Sequence, residues 1–114
     1  MAKTRVLVEF GMGTSLRRED YTEAAARAIR DALWHNSVNM AELFGFEKEN
    51  MVVDVEVAVQ QPDSVNADQL AQIFPYGQVA VQVKHGGLDV PKPSGGCTVI
   101  ANAAIAVSFD MEPV

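Results

Sequence analysis

Three runs of alternating residues limit what this chain can fold into. Val53, Val55, Val57 and Val59 share one parity, and Val52, Asp54, Glu56, Ala58 and Gln60 share the other. Val79, Val81 and Val83 alternate in the same way with Ala80, Gln82 and Lys84. Val99, Ala101, Ala103, Ile105 and Val107 alternate with Thr98, Ile100, Asn102, Ala104, Ala106 and Ser108. A period of two is the side-chain spacing of a β-strand, so the pattern predicts strands over residues 51–60, 78–84 and 97–109. A fourth strand, over residues 4–10, alternates more weakly, with Val6, Val8 and Phe10 on one face and Leu7 and Glu9 on the other. Strands with one oily face need something to cover it.

The cover is helical. Asp20 is placed as an N-cap with Glu23 three residues on, which is a capping box. Tyr21, Ala25, Ala28, Ile29, Ala32 and Leu33 then fall on one stripe at helical spacing, with Glu23, Arg27, Arg30 and Asp31 opposite, and Glu23 with Arg27 forms a favourable i,i+4 pair. This predicts a helix over residues 21–35. Asn66 caps a second helix over residues 67–74, which Pro75-Tyr76-Gly77 ends. A short helical turn is expected over residues 39–45, between Asn39 and Gly45, followed by a solvated turn at 47–50. Gly11-Met12-Gly13 is expected to break the first strand, since two glycines around one residue permit positive φ or a close backbone approach. Residues 86–96, with Pro91, Pro93 and Ser94-Gly95-Gly96, read as the one long loop.

The order is β-α-β-α-β-β, an α+β fold in the form of a two-layer α/β sandwich. The 114 residues suit a single domain spanning 1–114, and the apolar share of 48% supplies a core and rules out a disordered chain. Two helices cover only one face of a four-stranded sheet, and the valine face is the one expected beneath them. The other face would carry Leu7, Glu9, Asp54, Glu56, Ala58, Ala80, Gln82, Lys84, Asn102, Ala104 and Ala106. Small residues with a few charges suit a sheet buried against copies of itself, so a homo-oligomer is expected, a trimer first, with sheets inward. The alternative is a wet outer face on a monomer.

A net charge of −6 repels phosphate backbones, and no basic patch with interleaved aromatics offsets it, so nucleic acid and anionic membrane are not expected partners. Residues 1–5 lead only into a short apolar run interrupted by Glu9, which reads as neither a signal peptide nor a membrane span. Cys97 is the single cysteine and has no internal partner, which points to the reducing cytoplasm.

Ser94 is a candidate nucleophile. Lys84 or His85 would be its base, and the N–H groups of Gly95 and Gly96 its oxyanion hole. The same residues also compose an ordinary turn. Cys97 with His85 is a weaker pair, because nothing beside Cys97 is basic enough to lower its pKa. Gly11 and Gly13 ahead of a helix resemble an anion cradle without the third glycine of a dinucleotide fingerprint. Gly86 and Gly87 open the loop on the other side. Ser15, Arg17 and Arg18 lie just before the helix N-terminus, where they could hold a carboxylate or phosphate. His35 and His85 lie far apart with no ligand-spaced Cys or carboxylate, so neither a metal site nor a cofactor is expected.

As an ordered set, several segments resemble the small uncharacterised "Lin" family of conserved hypothetical proteins across nearly the whole chain. They are Phe10-Gly11-Met12-Gly13, Asn36-Ser37, Pro75-Tyr76-Gly77-Gln78-Val79, Gly86-Gly87 and Ile100-Ala101-Asn102-Ala103-Ala104-Ile105-Ala106-Val107. The family's N-terminal signature is Gly-x-Gly-x-Asp-x-His-Gly. Gly11 and Gly13 match it, but Ser15 replaces the Asp, Arg17 the His and Arg18 the last Gly, which implies an altered or lost activity. The family is in turn distantly similar to one repeat of the ring-opening cyclic amide hydrolases, cyanuric acid hydrolase and barbiturase, which use Ser–Lys pairs. That likeness implies a role for Ser94. The lysine expected near the end of the first strand is absent, and Lys84 is the nearest substitute.

Two functions follow as expectations. One is non-catalytic binding of a small anion or metabolite by loops 11–18 and 85–96 at an inter-subunit site. The other is an amide-bond hydrolase acting on a small polar cyclic ligand, with Ser94 attacking and Lys84 or His85 activating.

Overall fold

The structure is a computed structural model, and it describes residues 2–34, 51–74 and 77–111. Strand β1 (Ala2–Ser15) leads to helix α1 (Tyr21–Trp34), then β2 (Val52–Val59), a 3-10 turn (Pro62–Ser64), helix α2 (Ala67–Ala71), β3 (Gln78–His85), β4 (Leu88–Pro91) and β5 (Cys97–Met111). The sheet runs β1-β5-β2-β3, and β4 pairs with the first residues of β5, in line with β2. Among the described strands only β2 and β3 are parallel. The result is the expected α+β sandwich with a fifth strand, formed where residues 86–96 were expected to be loop. The short helix expected over 39–45 and the turn at 47–50 lie outside the described residues.

The valine face is the core. Val53, Val55, Val57 and Val59 of β2 are buried together with Val99, Ala101, Ala103, Ile105, Val107 and Phe109 of β5. Ala24, Ala25, Ala28, Ile29 and Ala32 of α1 and Leu70 of α2 close over them. Both helix starts follow from their caps. The Asp20 carboxylate accepts from Glu23 N at 3.0 Å, and the Asn66 side chain accepts from Gln69 N at 3.1 Å. Helix α2 ends at Ala71 rather than running to residue 74. Its last turn is tightened by i→i+3 bonds from Ile73 N to Leu70 O and from Phe74 N to Ala71 O.

β1 departs from its expected form in two ways. It does not break at Gly11-Met12-Gly13 but stays paired with β5 through Ser15. Neither glycine has positive φ, so the second property of glycine is the one in use. A Cβ on Gly11 would lie 2.2 Å from Ala28 O, and one on Gly13 would lie 2.3 Å from Ala24 O. The backbone of α1 rests directly on that of β1, through a surface of alanine on one side and bare Cα on the other. The faces of β1 are consequently exchanged. Gly11, Gly13 and Ser15 lie under the helix, with Glu9 on the same side opposite Ile105. Val8 and Phe10 lie on the helix-free face opposite Ala106 and Ala104, and Phe10 is 69% exposed. A phenyl group cannot enter a space that rejects a methyl, and a register shift between Arg5 and Leu7 sets the parity accordingly.

Gly13→Ala is expected to cost about 3 kcal/mol by overpacking. Gly95→Ala, where φ is +100° and an added Cβ meets no described atom within 4 Å, costs only the backbone term of about 1–2 kcal/mol. Urea unfolding of the two variants checks the order, and equal losses would contradict the close approach.

Candidate functional site

Ser15, the ends of β2 and β3, and the β4–β5 hairpin all lie at one end of the sheet. The connection over residues 16–20 is exposed but tied on several sides. Lys92 Nζ donates to Leu16 O at 2.8 Å. Glu19 takes φ +49°, the left-handed region that costs a side chain about 1–2 kcal/mol, and its carboxylate accepts from Cys97 N at 2.6 Å. Asp20 N donates to the buried Ser15 Oγ at 3.1 Å. Arg27 donates to Thr14 O at 2.7 Å and pairs with Glu23 at 3.1 Å.

Between these ties lies a hollow of about 560 Å³ bordered by Ser15, Arg17, Arg18, Asp20, Glu23 and Arg27. Asp20 and Glu23 are engaged, one as the cap and one with Arg27. Arg17 and Arg18 are exposed and make no hydrogen bond or ion pair among the described residues. Three of the expected binding residues, Ser15, Arg17 and Arg18, are thus brought together. Gly11 and Gly13 are not part of this site, because they belong to the contact between β1 and α1.

Gly86 and Gly87 carry the chain from β3 across the end of β2 to β4. Gln60 Nε2 clamps both carbonyls at 3.0 and 3.1 Å. Gly87 takes φ +62°, and a Cβ there would lie 2.2 Å from Ile100 O. Their role in the protomer is to let two backbones cross.

Ser94 is exposed at the tip of the β4–β5 hairpin. Gly95 N, expected to be free for an oxyanion, donates to Lys92 O at 3.0 Å, and Lys92 N donates to Gly96 O at 2.9 Å. Gly95 and Gly96 adopt the positive φ of a tight turn. Lys84 Nζ is 3.0 Å from Glu56 Oε1 on the helix-free face, and His85 is exposed at the end of β3. Lys84 lies level with Asn102 through Ala58, five residues of β5 from Cys97, a separation of about 17 Å along the sheet. A single protomer therefore does not bring Ser94 to Lys84 or His85. Among the described residues no three His, Cys, Asp or Glu side chains converge to hold a metal. Among the described residues no helix is long and apolar enough to cross a membrane.

Beneath the loops, the buried Tyr21 hydroxyl donates to Asp89 Oδ2, joining α1 to β4. Among the described residues Asp89 Oδ1 is buried without a hydrogen-bond partner. The hydrogen bond to Asp89 is the first cause that pushes the Tyr21 hydroxyl up to about 12, followed by burial and the charges of Asp89, Glu19 and Cys97. No local sequence pattern marks this pair, nor Lys92 with Leu16, because each joins segments far apart in the chain. The folded-state value lies above the ordinary 10, so the stability that Tyr21 contributes is complete below pH 10 and is lost as pH rises toward 12. Tyr21→Phe is expected to cost about 1–3 kcal/mol at pH 7, since it leaves both Asp89 oxygens unpaired. It should also flatten the fall in melting temperature between pH 9 and 12. A variant as stable as the wild type, with the same alkaline profile, would contradict the assignment.

A crystal structure of an FtsZ-like protein of unknown function from Nostoc punctiforme PCC 73102 is similar to the whole fold. Its TM-score is 0.87 at 31% identity, covering 97% of this chain and 99% of that one. No curated protein matches. Residues 5–107 match the conserved hypothetical proteins designated Lin0512, in agreement with the resemblance read from the sequence. With a match over that span, the chain belongs to the Lin0512 family of conserved hypothetical proteins.

Proposed function

We propose that the chain is a non-catalytic, cytoplasmic binder of a small anion, a carboxylate or a phosphate-bearing metabolite, and that it works as a homo-oligomer. The observation that carries this reading is the setting of Arg17 and Arg18. Lys92, Glu19 and Ser15 fix the loop that bears them, and the two guanidinium groups border a hollow of about 560 Å³ with no ion pair of their own among the described residues. A guanidinium is always charged and presents a planar fork of donors that matches a carboxylate or phosphate. The volume is that of a small-metabolite site.

The helix N-terminus adds less than it would in an open cradle, because the Asp20 carboxylate already accepts from Glu23 N there. The arginines therefore carry the charge recognition. Ser15 and Arg17, two of the departures from the family's signature, both line this hollow, which suits a changed chemistry at an inherited position. The cytoplasmic placement rests on the single cysteine, Cys97.

Thermal-shift screening with mono- and dicarboxylates, inorganic phosphate and phosphate esters tests the reading. At about a hundredfold excess over Kd, a true ligand raises Tm by roughly 5 °C or more, and Arg17→Ala with Arg18→Ala removes the shift. A flat response across the panel, or an equal shift in the double variant, rejects it.

A further inference from the structure

We infer that copies of this chain meet through the helix-free face of the sheet, with Phe10 of one copy seated in an alanine-floored hollow of another. The inference rests on the homo-oligomer proposed above and names the surface and the anchor. The exchanged parity of β1 puts Phe10 and Met12 on this face, where β4 adds Leu88 and Val90 opposite Ile100 and Thr98. These four side chains are 69%, 55%, 58% and 42% exposed. Large apolar side chains exposed together on one face mark an interaction site more often than a bare exterior.

The size is right for a stable contact. Four strand positions at about 4.8 Å spacing and strands of about eight to fourteen residues give roughly 500–900 Å² of plan area. A standard interface buries about 800 Å² per partner.

The charge pattern selects a second copy over a foreign partner. The charged side chains described on this face are Arg5 and Lys84 against Asp54 and Glu56, two of each sign. The chain as a whole carries −6, so copies repel over most of their surfaces and least here. A balanced face is complementary to itself and offers no single-sign target to an acidic or basic partner.

The shape supplies the anchor. Phe10 forms a ridge between a hollow of about 560 Å³ toward Arg5 and one of about 170 Å³ floored by Ala58 and Ala104 and flanked by Lys84 and Asn102. A cavity of about 150 Å³ holds a benzene ring, so the smaller, open hollow has room for a phenyl group. One competing route, edge-to-edge pairing through β1, is blocked along part of its length. Asp31 accepts from Met12 N at 3.0 Å, and Arg27 donates to Thr14 O at 2.7 Å, so α1 occupies backbone groups that a pairing strand would need.

Sedimentation velocity over a dilution series tests this with the full-length chain, with Phe10→Asp and Phe10→Leu beside the wild type and far-UV circular dichroism to verify folding. The expected result is an oligomeric wild type, a folded Phe10→Asp variant whose association is weakened by about thirtyfold or more, and near-normal association for Phe10→Leu. Leu88→Lys, on the same face, replaces Phe10→Asp if that variant fails to fold. A wild type that stays monomeric overturns both the oligomer and this surface. An oligomeric wild type left intact by the charged variants overturns this surface alone.

Discussion

Everything positional in this fold depends on α1 touching β1 backbone to backbone. Hydrophobic burial alone would be satisfied with larger side chains and a wider gap. Here Ala24 and Ala28 meet Gly13 and Gly11 where no Cβ fits. Close-packed interiors do not tolerate a misplaced methyl, so the register of the helix along the strand is fixed to within a residue. That register holds Asp20 at Ser15, Arg27 at Thr14 and Asp31 at Met12, and it sends Phe10 and Met12 to the opposite face.

The same contact connects the two surfaces of the molecule. The helix side ends in the tied loop with Arg17 and Arg18, and the bare side presents alanines, balanced charges and exposed apolar groups. Glu19 in the left-handed region and the unpaired Asp89 Oδ1 are both unfavourable in isolation, and both occur where β4–β5 is fastened to the start of α1. Local strain of this sort persists only where the surroundings over-determine it. The lacing supplied by Lys92, Glu19 and Tyr21 does so here.

How much of this could be read from the residues differs by element. The valine strands were legible because burial on one face imposes a period of two; β2 follows it residue for residue and β5 follows it from Val99 to Val107. Caps Asp20 and Asn66 were legible because the chemistry of a helix start is local. The parity of β1 was not, since glycine has no side chain to contribute to an alternation and Phe10 looked like core. The alanine stripe of α1 was the available clue, because a helix face that small asks for a partner with even less bulk. Strand β4 was hidden by its shortness and by Pro91 at its end. Of the site, loops 11–18 and 85–96 were expected to hold one ligand between them, and Lys92 of the second reaches Leu16 O of the first. The contacts that join them span 76 and 78 residues, however, and leave no local pattern. Gly86 and Gly87 looked like ligand glycines and instead let the backbone cross β2.

The most direct test of this arrangement is a nuclear Overhauser map of the protein in solution. Contacts are expected from the Gly13 Hα protons to Ala24 and Ala28 and from Gly11 Hα to Ala28 and Ala32. The Phe10 ring is expected to contact the Ala104 methyl on β5. Contacts from the Phe10 ring to Ala28 or Ala32 would place it beneath the helix and contradict the exchanged parity, and with it the surface built on that parity.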